Sequence, residues 1–110
     1  MSATQPVPVL VGVGQLLQRA DDPSEAAEPL AMMVAALERA GQDAGAPKLL
    51  QRASSIYVIR GMWGYGDPGR AIARRLGATP GETVGTPYGG NFAQACVIDA
   101  ARAIQSGRRD

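Results

Sequence analysis

The sequence predicts an α/β domain in the order strand–helix–strand–helix–strand–helix, with a mostly parallel sheet. Three observations carry this. Short β-branched, apolar runs alternate with stretches in which apolar residues recur at helical spacing. Each helical stretch has its own punctuation, a proline or asparagine at the start and a glycine at the end. The last helix is apolar on nearly every side, which is the pattern of a helix placed between layers rather than on a surface. Alternation of this kind favours parallel pairing through right-handed crossovers. The 110 residues fit one unit, 1–110, with no linker or repeat dividing it.

Residues 1–7 are a polar lead-in containing proline. In PVLVGVGQ (8–15) the unbroken run Val9, Leu10, Val11, Val13 predicts a strand buried on both faces. Gly12 and Gly14 make half of a dinucleotide-binding fingerprint, but no third glycine follows at the needed spacing and no acidic residue closes a second strand. They are read instead as glycines that permit close packing and a turn. Residues 15–29 form a charged surface connection, coiling from Pro23. Leu30, Met33, Val34 and Leu37 then define a helical stripe begun by Pro29 and stopped by Gly45 and Pro47, with Gly41 marking close packing in mid-helix.

The second strand is SSIYVIR, 54–60. The glycine-rich loop after it carries Trp63 and Tyr65, which either contact a ligand or cover the end of the sheet or a subunit interface. Asp67 and Pro68 open the next helix, which buries Ile72 and Leu76 and ends at Gly77, with Arg70, Arg74 and Arg75 on a solvated face. A short third strand, Glu82–Thr86, is stopped by Pro87. The final helix, within 88–109, is opened by Gly89, Gly90 and the N-cap Asn91 and closed by Gly107.

Composition removes several function classes. Eleven Lys+Arg against ten Asp+Glu leave a net charge of +1, so nothing electrostatic selects nucleic acid or an anionic membrane. A single cysteine and no histidine exclude an internal disulfide, a His-dependent triad and a structural zinc site built from this chain alone. With no apolar run of spanning length and no signal peptide, the expected location is cytoplasmic.

The opening PVLVGVGQ, the capped helix over 29–45 and above all AARAIQSGRRD resemble the N-terminal half-domain of thiolases. The family's last helix of this half ends in Ala-Ala-x-x-Ile-x-x-Gly-x-x-Asp, matched here by Ala100, Ala101, Ile104, Gly107 and Asp110. The likeness covers essentially the whole sequence and is nearest to actinobacterial thiolase-like proteins, of the acetyl-CoA acetyltransferase and sterol-carrier-protein type. It implies a thiolase-like half-domain that lacks the later strands and the second half. It also implies a coenzyme A thioester as substrate, no covalently bound cofactor, and pairing with a second copy or a complementary thiolase-like chain.

In that family a cysteine at the N-terminus of this helix takes the acyl group, because helix N–H groups and the dipole favour the thiolate. Aligned on Ala100 and Ala101, the nucleophile position falls on Gly90, the family's preceding asparagine on Pro87, and its following glycine on Ala93. Cys96 lies six residues further into the helix and is read as a small packing residue, with nucleophile as the alternative. The resemblance therefore implies a portion of an acyl-CoA acyltransferase that is not catalytic by itself. The alternative is a non-catalytic binding or structural subunit completed by a partner chain.

Overall fold

Prolines and glycines set the boundaries of the elements, as their backbone chemistry requires. The structure, a computed structural model, describes residues 5–109; most of the lead-in and Asp110 of the terminal motif lie outside the described residues. Helix α1 spans Pro29–Asp43, strand β1 Ser55–Arg60, helix α2 Pro68–Leu76, strand β2 Glu82–Tyr88 and helix α3 Phe92–Gln105, with 3-10 turns at Pro23–Glu25 and Pro47–Arg52. The strands form a parallel pair in which Ser55 lies opposite Glu82 and Val58 opposite Gly85.

Helix α1 starts at Pro29, whose missing N–H would have been an orphan in any case. Glu28 makes no capping bond. The next free donor, Leu30 N–H, is instead satisfied by the hydroxyl of Tyr65 at 3.1 Å. At the other end Gly45 turns with φ +70 and Ala46 N–H returns to the Gly41 carbonyl. Gly41 is buried where a side chain would press on Pro47 and Leu50, so the glycine predicted to mark close packing does so.

Asp67 joins α2 to the sheet. One carboxylate oxygen accepts the Arg70 N–H at 3.0 Å, and Thr83 on β2 donates its hydroxyl to the same carboxylate. Gly69 lies buried on β2, with room for nothing larger against Thr83. Gly77 closes the helix at φ +72. The resulting core gathers Leu30 and Val34 of α1, Ile56 and Val58 of β1, and Ile72, Ala73 and Ala78. It fills one face of the sheet, as the alternating burial of β1 requires.

Three expectations need correction. Residues 8–15 form no strand, and the sheet has two members among the described residues. Val9, Leu10, Val11 and Val13 stand largely exposed, Leu10 at 83%. The segment is held instead at α1, by Val13 N–H on the Asp43 carboxylate and Arg39 on the Gln15 carbonyl. Pro87 does not stop β2. The ladder shifts register between Val58 and Arg60, so β2 spends an extra residue there, and Arg60 N–H donates to the Thr86 hydroxyl.

Asn91 is helical itself, at φ −63 and ψ −21, and makes no side-chain cap; the first turn closes through Phe92 N–H on the Gly89 carbonyl and Ala93 N–H on the Gly90 carbonyl. Helix α3 is covered on one side only, as expected of an apolar helix in a half-domain that lacks its second layer. Ala103 is buried at 2% exposure, while Val97 remains 61% and Ile98 41% exposed. Its end follows the expectation: Gly107 takes φ +79, and Arg108 N–H bonds the Ala103 carbonyl.

Replacing Asp67 by alanine removes both the cap and the tie to Thr83. The expected loss is about 1–2 kcal/mol, read as a lower urea midpoint with unchanged m-value.

Candidate functional site

The entrance to α3 is where the resemblance places chemistry, and its local structure can be stated directly. Gly89 has φ +136 and the Asn91 side chain folds against it. Gly90 is different. It lies outside the left-handed region, it is exposed, and a Cβ there would meet nothing within 4 Å. Neither backbone geometry nor space demands glycine at position 90, which stands two residues before the helix start at Phe92.

Cys96 is a half-buried free thiol on the second turn of α3. On the same helix, three residues on, Asp99 accepts the hydroxyl of Tyr57 of β1 at 2.7 Å. Burial pushes the Tyr57 phenol up to about 12, helped by its bond to Asp99 and by the charge of Asp99, with Glu82 and Cys96 adding less. Tyr57 is therefore a donor across the neutral range, tying α3 to the sheet. Six residues in from Gly90, Cys96 also lies beyond the free N–H groups that would favour a thiolate.

Beside this contact a groove of 510 Å³ separates Val7, Val9 and Val11 from Tyr57, Ala100 and Ile104, with Arg52 and Arg109 among its lining residues. Arg109 is already engaged: it bonds Ser55 at 3.0 Å and lies 3.5 Å from the Glu82 carboxylate, while Ser55 donates to Glu82. Among the described residues no cluster of His, Cys, Asp and Glu could hold a metal. No helix there is long and apolar enough to cross a membrane.

Trp63 and Tyr65 both pack against the core. Their rings lie 5.9 Å apart against the core, Trp63 lies over Gly61, and Tyr65 caps α1. Of the three arginines assigned to a solvated face, Arg75 pairs with Glu28 at 3.2 Å and Arg70 reaches the Pro80 carbonyl. The Tyr57–Asp99 and Ser55–Glu82–Arg109 contacts had no local signal in the sequence, since their partners lie far apart in the chain.

Comparison with solved structures finds a monomeric SCP2-thiolase like protein type 1 from Mycobacterium smegmatis, with TM-score 0.77 and 25% identity over 96% of this chain. The fold is thiolase-like, of the sterol-carrier-protein type. The chain spans 22% of the length of that protein. No family model matches the sequence, and no curated protein matches it at a significant level. The thiolase-like half-domain is thus the architecture that the two parallel strands and their three main helices build.

Two measurements check this geometry. In a Gly90→Cys, Cys96→Ala variant, the thiol at the helix entrance is expected to alkylate roughly tenfold faster at neutral pH than Cys96 of the parent. The Tyr57 phenol, raised from 10.0 to about 12, contributes stability that is complete below pH 10 and is lost as pH rises through 12. Urea midpoints over that range should fall further in the parent than in Tyr57→Phe.

Proposed function

We propose that this chain is a portion of a thiolase-like acyl-CoA acyltransferase and does not itself carry the acyl group. The observation that supports the reading is the combination of a thiolase-like fold with glycine at the nucleophile position. Acyl transfer by a thiol needs the thiolate to attack the thioester carbonyl, expel the thiolate of coenzyme A and hold the acyl group as a new thioester. Gly90 offers no sulfur for that bond. Cys96 has one, but the hydroxyl and carboxylate beside it are committed to each other.

A second reading is favoured by α3. With Val97 and Ile98 uncovered, the helix has an apolar face of the kind a further layer of protein would bury. On this reading the chain is a non-catalytic thiolase-like subunit that holds an acyl-CoA or is completed by a second copy or a complementary chain. The Mycobacterium smegmatis neighbour is described as monomeric, which favours completion within one polypeptide over self-association.

Incubation with acetyl-CoA followed by intact-mass measurement tests both readings at once. The expected outcome is no acetyl adduct, in the parent and in Cys96→Ser alike. An adduct present in the parent and absent from Cys96→Ser would assign the nucleophile to Cys96 and overturn both readings.

A further inference from the structure

The 510 Å³ groove beside α3 has apolar walls along most of its length and a cationic end. Two contacts between its walls fix which end is which. Tyr57 of β1 donates to Asp99 of α3, and two residues earlier Ser55 accepts from Arg109, which follows that helix. The end toward the start of β1 therefore collects Arg52, Ser54, Ser55 and Arg109. Tyr57, Ala100 and Ile104 form the remaining wall on the α3 side, and Val7, Val9 and Val11 stand opposite.

The two arginines are not equivalent. Arg109 has its Nε on Ser55 and its Nη1 on the Arg108 carbonyl, and it lies 3.5 Å from the Glu82 carboxylate. Its charge and most of its donors are already matched. Arg52, exposed at the end of the turn Pro47–Arg52, makes no ion pair among the described residues. Two guanidiniums against one carboxylate leave this end one positive charge in excess. The valines opposite stand largely exposed, so an apolar wall and an unmatched cation share one groove, and water satisfies only the second.

We propose that the groove binds an aliphatic carboxylate, a free fatty acid, with its head group on Arg52 and its chain between the valines and α3. The volume falls within the range of about 300–1,000 Å³ usual for small-molecule sites. A carboxylate accepts two parallel N–H bonds from one guanidinium, which is what Arg52 has to offer. A neutral lipid would leave that charge unused. A head group of several phosphates would set more negative charge against a single unmatched cation, with Glu82 close behind it. The chain would in turn take the valines out of water. Gly90 and Cys96 have no part in this site, so the proposal is independent of any acyl-transfer role.

Titration of the whole chain with decanoate, below its micelle-forming concentration and followed by NMR amide shifts, tests it. Saturable shifts are expected at Ser55, Tyr57, Ala100 and Ile104. Affinity should fall on the order of tenfold in Arg52→Gln, and equally when decan-1-ol replaces decanoate in the parent. Ala100→Leu, which fills the groove, should abolish saturation. No saturable shift in the parent would overturn the proposal, since the groove would then be closed to ligand by the chain's own N-terminal run. Shifts centred on Val97 and Ile98 would overturn it by moving the binding to the exposed face of α3. Equal binding of the alcohol, or undiminished binding of decanoate by Arg52→Gln, would remove the carboxylate from the assignment and overturn it too. If Ala100→Leu fails to fold, Arg52→Gln and the alcohol decide, because Arg52 is exposed and its substitution leaves the core untouched.

Discussion

The structure depends on how unevenly the two faces of β1 are covered. Ile56 and Val58 drive one face into α1 and α2, and that packing supplies most of the buried apolar surface. The other face is left to α3, whose grip is one buried alanine, a few half-buried neighbours and the bond from Tyr57 to Asp99. A two-stranded parallel sheet has little to offer on its second face, because parallel sheets gain their stability by being covered on both. The groove beneath Val7–Val11, the exposed Val97 and the open edge of β1 all follow from that shortage.

The same imbalance frames the chemistry. At the entrance of α3 the backbone is suited to present a thiol, and none is there. One turn inside, a thiol exists beside a tyrosine that functions as a strut, in a place no free N–H reaches. Position and reagent are separated by six residues along a rigid helix, a distance that no side-chain rotation spans. That separation is the basis of the proposal that this chain does not itself carry the acyl group.

Much of the fold was legible in the sequence because it is written in residues with local consequences. Pro29, Asp67 with Pro68, Gly45, Gly77 and Gly107 each fix a dihedral or a donor within a few residues, and each begins or ends an element as read. The misreadings concern features decided at long range. An apolar run such as Val9–Val13 has the composition of a strand, but pairing depends on what lies next to it. Pro87 is a strand breaker locally, yet the ladder absorbed it by a shift of register next to it. Asn91 has the chemistry of a cap but adopted helical angles, so its carbonyl side was already inside the turn. At the candidate site the empty space around Gly90 was invisible to sequence reading, as was the phenol–carboxylate tie, whose members are 42 residues apart.

The capping of α1 by Tyr65 bears on the order in which the protein assembles. A helix that supplied its own N-cap could complete its first turn as soon as it was made. Here the acceptor for Leu30 arrives 35 residues later, after β1 and the glycine-rich loop behind it. During synthesis that bond can form only after the aromatic loop has emerged and folded back, and water serves the Leu30 N–H until then.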